Sequence, residues 1–281
     1  MPTKLGQNFL RDKAVLDRII QSANLSGDDF VLEVGPGEGI LTERLAKYAK
    51  KVMAIEIDNN LASKLDSRLR GNDKIEIISA DILEINLPEL IEVETQHRCV
   101  SEITDIKTQQ CCVSTNINNY PYKVIANIPY YITSPIIRLF LETKYPPTEM
   151  LLMVQKEVAE RICTKAGKMS ILALSVQYYA DAELLFTVPA EAFSPVPEVD
   201  SAVIRITLNS KREEKEYTKK FFKLVKVGFS AKRKTLVNNL STSLKLEKSF
   251  VEEKLKQVGI SPNQRAQELS LEDWKKLVEL L

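Results

Sequence analysis

Histidine is almost missing from this chain: one, His97, stands among 281 residues. Because His97 falls in a stretch without pattern, any catalysis here has to run without an imidazole. Cysteine is scarce too. The four present have no even spacing, which argues against a disulfide framework and agrees with a reducing compartment. No apolar run approaches the roughly 18 residues that a membrane span needs. Met1 to Arg11 lacks the apolar core of a signal peptide, so the expected location is the cytoplasm, with no membrane partner. No glycine-rich turn ends in Gly-Lys-Ser or Gly-Lys-Thr, which disfavours a phosphotransferase.

What is present is ordinary in bulk: 44% hydrophobic and 27% charged residues, in a length that suits one large domain and a small one. The net charge of +1 conceals an asymmetry. From Lys211 to Leu240 there are ten Lys or Arg against three Glu, an excess of seven. A solvated face is the usual meaning of such a run. Here it shares its segment with an apolar stripe and ends in Lys232-Arg233-Lys234, which favours a nucleic-acid partner.

Strand and helix patterns alternate along most of the chain. Phe30–Val34, Val52–Glu56, Ile75–Ser79, Tyr122–Ala126 and Met150–Val154 read as strands, and Asn59–Leu69 as one of the helices between them. This alternation predicts an α/β fold, a mostly parallel doubly wound sheet covered on both faces. Leu184–Val188 and Ala202–Leu208 read as two closing strands that can pair antiparallel. After Leu208 the pattern is wholly helical, so the expected domains are 1–208 and a small all-α domain, 209–281. Between Leu87 and Tyr120 there is no Gly, one Pro and no sustained period. That reads as an exposed, disordered insertion over about 88–119. It holds His97, Cys99, Cys111 and Cys112, but adjacent cysteines sit awkwardly around one tetrahedral ion, and no metal is expected.

A glycine corner, Gly35-Pro36-Gly37-Glu38-Gly39, joins the first of these strands to a helical pattern. In a doubly wound sheet that corner binds nucleotide-like ligands, because glycine admits close backbone approach and the helix start offers free N–H groups. Glu56, at the next strand tip, is placed to accept from ribose hydroxyls. The dinucleotide fingerprint would need a third glycine where Ile40 stands. Glycine at 39, Pro36 and the acid Glu33 instead resemble the first motif of S-adenosylmethionine-dependent methyltransferases. That resemblance puts Gly35 and Gly37 at the cofactor and Asp81 opposite its adenine amino group.

Val124-Ile125-Ala126 leads into Asn127-Ile128-Pro129-Tyr130, a stiff corner that carries an amide and two adjacent aromatics, Tyr130 and Tyr131. It resembles the N-x-P-Y motif of amino-methyltransferases. The exocyclic amine of adenine is a poor nucleophile, because its lone pair is delocalised into the ring. Two acceptors aimed at its N–H groups, the Asn127 side-chain oxygen and the Ile128 carbonyl, would turn that lone pair outward. Pro129 holds them in place beforehand, and Tyr130 offers a stacking surface for an extruded base. Phe193, in the loop Phe193-Ser194-Pro195-Val196-Pro197-Glu198-Val199-Asp200-Ser201, reads equally as a second wall of that base pocket or as part of a rigid, core-packed connection.

Taken together, GQNFL, LEVGPGEGILT, IEID, ADIL, NIPYYITSPI, MVQKEVAERI, FSPVPEVDSAV and GFSAKRKTLVNNL closely resemble the small-subunit ribosomal RNA adenine N6,N6-dimethyltransferases. The resemblance covers nearly the whole chain; the insertion is the departure. It implies a Rossmann-like catalytic domain, S-adenosylmethionine as cofactor, and two adjacent adenines near the 3′ end of the RNA as target. Cofactor contacts carried over are Asn8, Leu10, Gly35, Glu56, Asp81 and Asn127. The implied partner is small-subunit rRNA or an immature small subunit, met by a monomer through Lys223, Lys226, Lys232, Arg233 and Lys234. A large-subunit rRNA methyltransferase is a rival reading, and a non-catalytic assembly or transcription factor of the same fold is another.

Overall fold

The central strands are apolar almost without interruption, as strands covered on both faces must be. In the computed structural model, which describes residues 8–87, 90, 121–209 and 212–281, they are β2 (Phe30–Val34), β3 (Lys51–Glu56), β5 (Tyr122–Asn127) and β6 (Glu149–Gln155), with the less buried β4 (Ile75–Ser79) at the edge beside β3. Among the described residues the sheet has seven strands in the order β4-β3-β2-β5-β6-β9-β7, with β7 at Ala180–Val188 and β9 at Ser201–Leu208. β2 pairs in parallel with β3 and β5, β3 with β4, and β5 with β6; β9 then runs antiparallel to β6. The chain leaves β2 toward β3 and β4 and later returns to the other side of β2 as β5. That reversal opens a crevice beyond the C-terminal ends of β2 and β5, where doubly wound sheets bind ligands.

Caps fix the helices around these strands. Asp12 accepts from the Ala14 and Val15 N–H groups at 2.7 and 3.1 Å, starting α1 (Lys13–Ala23). Asp58 does the same for α3 (Asn59–Leu69) through Asn60 and Leu61. α2 (Ile40–Tyr48) starts at Gly39, whose φ is +74°. A Cβ at Gly39 would stand 2.2 Å from Leu65 Cδ1 on α3, so only glycine lets α2 and α3 approach this closely. A further helix, α4 (Thr133–Glu142), follows β5 and buries Ile136, Ile137, Phe140 and Leu141.

The chain divides into two compact units, which keep the boundary expected at 208–209 but move one earlier segment from the expected first domain into the second. One unit runs to Lys156 and resumes over Leu185–Leu208; the other joins Glu157–Leu184 to Asn209–Leu281. The segment Glu157–Leu184 holds most of α5 (Lys156–Ile162) and all of α6 (Ile171–Tyr179). The physical reason lies in α6, whose Ala173, Leu174 and Tyr178 share a core with Phe221, Val225, Leu240, Leu255 and Trp274. The other helices of this unit are α7 (Lys215–Gly228), α8 (Leu236–Leu244), α9 (Lys248–Gln257) and α10 (Leu271–Leu280). On α7 the buried face is Phe221, Leu224, Val225 and Gly228, with Phe222 and Phe229 only partly covered. Among the described residues, no helix is long and apolar enough to cross a membrane. Nearly all of the expected insertion, including His97 and three of the cysteines, lies outside the described residues, as do Lys4 to Gln7.

Candidate active site

Most of the residues singled out in the sequence line one cavity of about 320 Å³ in the sheet-bearing unit. They are Asn8, Leu10, Gly35, Gly37, Glu56, Asp81, Asn127, Ile128, Pro129 and Tyr130. The cavity opens beyond the ends of β2, β3, β4 and β5, and its size is that of an ordinary small-molecule site.

The glycine corner is shaped by three left-handed residues, Gly35, Gly37 and Gly39, at φ +66°, +56° and +74°. Gly35 N donates to the Ile55 carbonyl at 2.9 Å, and Gly39 N to the Pro36 carbonyl at 2.8 Å. Glu56 is only 1% exposed. Its two oxygens accept from the Gly37 and Asp58 N–H groups, each at 3.0 Å. The carboxylate is thereby fixed at the cavity wall, with lone pairs left over for a ligand. Asp81 Oδ1 accepts from Leu83 N at 2.9 Å, and Ala80 N donates to the Glu56 carbonyl at 3.0 Å, which ties the ends of β3 and β4 together.

Glu33 is 2% exposed and also reaches the cavity. Burial pushes its carboxyl up to about 8; Thr42 draws it back somewhat, and the nearby charge of Glu56 adds to the rise. Glu33 Oε2 and Thr42 Oγ1 both end without a hydrogen-bond partner of ordinary geometry. A buried, unpartnered carboxyl oxygen in the wall of a cavity suits a ligand that brings an N–H or ammonium group.

At the far side, Asn127 Nδ2 donates to the Asn8 carbonyl at 3.2 Å. This contact uses the amide's nitrogen and sets the orientation that leaves Oδ1 as the available acceptor. Ile128 N donates to the Met153 carbonyl at 3.2 Å, while the Ile128 carbonyl accepts no hydrogen bond among the described residues. Pro129, at φ −54° and ψ 128°, holds the corner extended before the turn Tyr130–Ile132. Tyr130 is half-buried, and its Oη lies 2.7 Å from Oγ of the fully buried Ser201. Burial pushes this phenol above its ordinary range, and the Ser201 contact partly offsets the rise. Two adjacent acceptors and a clamped aromatic ring therefore share one wall.

Phe193 does not join them. It is 3% exposed, packed in the core with Leu10, Leu16 and Phe186, and absent from the cavity lining. The core-packed alternative is the one realised. Phe193–Ser194 forms β8, which pairs antiparallel with β1 (Phe9–Leu10), Leu10 opposite Phe193. Arg11 N also donates to the Ala192 carbonyl at 2.8 Å, and Arg11 pairs with both oxygens of Glu38. The loop thus holds Asn8 and Phe9 over the glycine corner, so closely that a Cβ on Gly37 would stand 2.8 Å from the Phe9 ring.

Two exposed apolar residues of the cavity escaped the sequence reading, Ile57, 46% exposed, and Leu83, 38%, while Tyr131, 59% exposed, was noted there without a role. Their signal was positional, since Ile57 follows Glu56 and Leu83 lies two residues past Asp81. In the helical unit, Lys223 and Lys226 stand exposed on α7, and Lys232, Arg233 and Lys234 are exposed in the turn before α8. Among the described residues no group of three or more His, Cys, Asp or Glu is arranged to hold a metal.

A family model described as ribosomal RNA adenine dimethylase matches residues 1–281. The chain belongs to that family. A relative from Dehalococcoides mccartyi named ribosomal RNA small subunit methyltransferase A is 40% identical over 97% of this chain and 86% of its own. One of the same name from Fusobacterium nucleatum is 40% identical over 99% of this chain and 96% of its own. Among solved structures, the 23S rRNA methyltransferase ErmE is 29% identical, with a TM-score of 0.73 over 98% of this chain and 99% of its own. A dimethyladenosine transferase from Plasmodium falciparum is 25% identical at the same TM-score, over 96% of this chain and 95% of its own. Membership of the dimethylase family agrees with a Rossmann-like unit whose cavity pairs a buried carboxylate, Glu56, with the corner at Asn127 and Ile128.

Proposed function

We propose that this protein dimethylates the exocyclic N6 of adenine in small-subunit ribosomal RNA, with S-adenosylmethionine as methyl donor. The observation that carries the reading is the wall formed by Asn127, Ile128 and Tyr130 in the same cavity as Glu56 and Asp81. Two amine N–H groups need two acceptors, and a flat base needs a flat neighbour.

The residues present fit the cofactor. Glu56 would hold the ribose hydroxyls, Asp81 the adenine amino group, and the unpartnered Glu33 oxygen faces the cavity where an amino-acid ammonium would be welcome. The exposed side chains of Ile57 and Leu83 offer apolar surface to an adenine ring. Bound there, the cofactor supplies an electrophilic methyl group on a sulfonium. The protein's own part is to prepare the acceptor. Asn127 Oδ1 and the Ile128 carbonyl take the two N–H groups of the adenine amine, which draws its lone pair out of conjugation. The same oxygens stabilise the positive charge that develops on nitrogen, and because Pro129 and the Asn8 contact fix them in advance, little reorganisation is needed. The proton then leaves to water, so no histidine is required. Tyr130 stacks on the base, with its ring set by Ser201.

The exposed Lys223, Lys226, Lys232, Arg233 and Lys234 would contact phosphates, giving affinity without sequence choice. Identity of 40% to small-subunit enzymes, against 29% to the 23S enzyme, favours the small subunit as substrate. Mass spectrometry of small-subunit rRNA from cells with and without the protein tests this. Loss of N6,N6-dimethyladenosine on deletion is expected; unchanged small-subunit adenines, with loss in the large subunit, would overturn it.

A further inference from the structure

Tyr131 is the aromatic of the corner that the reading above leaves without work. It lines the cavity yet is 59% exposed, whereas its neighbour Tyr130 is half-buried and tied to Ser201 through a 2.7 Å contact. The two rings are consecutive on a tight turn of three residues, Tyr130–Ile132. Side chains there project about 120° apart, so both cannot lie on one face of a single base. Two tyrosines in sequence, one clamped and one free, serve two different surfaces.

We propose that Tyr131 is a stacking platform for the nucleotide adjoining the adenine in the cavity, so that the corner grips two consecutive bases. The inference rests on the adenine-methylation reading and deepens it by naming a determinant of RNA engagement. Drawing one base out of a strand removes the stacking partner of its neighbour. An exposed aromatic ring at the cavity wall restores that partner, and it does so whatever the neighbour's identity, because every base has a π-face. Where the substrate carries two adjacent adenines, the neighbour is the second target, and stacking keeps it beside the site between rounds. Tyr131 is largely open to water, and among the described residues its ring makes no aromatic contact and no hydrogen bond.

The test is a thermodynamic cycle on the full chain. Wild type, Tyr131→Phe and Tyr131→Ala are titrated with an RNA copying the target segment and with the same RNA made abasic at the adjoining position. On the intact RNA, Tyr131→Ala should bind about ten- to a hundredfold more weakly, the range for losing one base–aromatic stack, and Tyr131→Phe should bind as wild type does. On the abasic RNA the wild type should lose a similar factor and Tyr131→Ala should lose nothing more. S-adenosylmethionine affinity should be equal in all three. An Ala penalty equally large on abasic RNA, no penalty on either RNA, or weakened cofactor binding would overturn the proposal. Failure of the wild type to methylate unmodified small subunits would overturn the reading beneath it instead.

Discussion

Replacing Glu33 with Gln should make the sheet-bearing unit more stable at alkaline pH, and the size of the gain follows from the carboxyl's burial. In the unfolded chain Glu33 titrates near its ordinary 4.5, while in the fold burial holds it at about 8. The folded-state value is the raised one. Stability from this group is therefore full below about pH 4.5 and declines as pH rises toward 8, because the unfolded state gives up a proton that the folded state keeps. Each pH unit in that window is worth about 1.4 kcal/mol, so between pH 5 and pH 8 the wild type should lose roughly 3 kcal/mol relative to Glu33→Gln. Glutamine does not titrate, and its amide takes the place beside Thr42 that the carboxyl holds in the wild type. Glu56 is the other charged group that raises the carboxyl, and it is unchanged in the variant. Amide hydrogen exchange of β2 and β3, compared between the two proteins at each pH without cofactor, isolates the difference because intrinsic exchange rates cancel. A gap that does not widen between pH 5 and pH 8 would refute the neutral, buried carboxyl. The variant should also bind S-adenosylmethionine more weakly if Glu33 receives its ammonium.

Removing the hydroxyl with Ser201→Ala leaves Tyr130 Oη unpaired in a half-buried place; we expect a loss of about 1–2 kcal/mol in thermal unfolding and slower methylation with unchanged cofactor affinity. Gly39→Ala combines a left-handed φ with a Cβ set 2.2 Å from Leu65 Cδ1, so it should cost about 2 kcal/mol or more; a melting temperature equal to wild type would contradict that packing. Changing Lys232, Arg233 and Lys234 together to Ala should weaken RNA binding and reduce its log–log salt slope by up to about 2–3, with S-adenosylmethionine binding unmoved; calorimetry showing the reverse pattern would refute the division of labour between the units.

The strands and the cofactor end were legible because their signals are local. Val31, Leu32 and Val34, or Ile75, Ile77 and Ile78, form short runs rich in β-branched residues, bounded by turn residues. The glycines after β2 stand where left-handed backbone is required. What was not legible depends on long-range partners. Phe193 sits in a proline-rich loop that could face inward or outward, and pairing with Leu10, far back in the chain, decides the matter. The α6 segment is apolar nearly all round, which signals burial but not that its neighbours are Phe221 and Trp274. On α7, Phe221 and Phe222 are adjacent and either could lead the buried face; the core selects Phe221. Ser201 gave no sign at all, since its importance lies in one hydrogen bond to Tyr130.

In the proposed mechanism Asn127 works mainly on the acceptor amine, and its expected contact with the cofactor is the smaller part. The most direct measurement is single-turnover methylation of unmodified small subunits by Asn127→Ala, with S-adenosylmethionine affinity taken in parallel by calorimetry. We predict near wild-type cofactor affinity and a methylation rate lower by about two orders of magnitude or more, the range for losing one preorganised electrostatic contact. A rate within a few-fold of wild type, at equal cofactor affinity, would contradict the account.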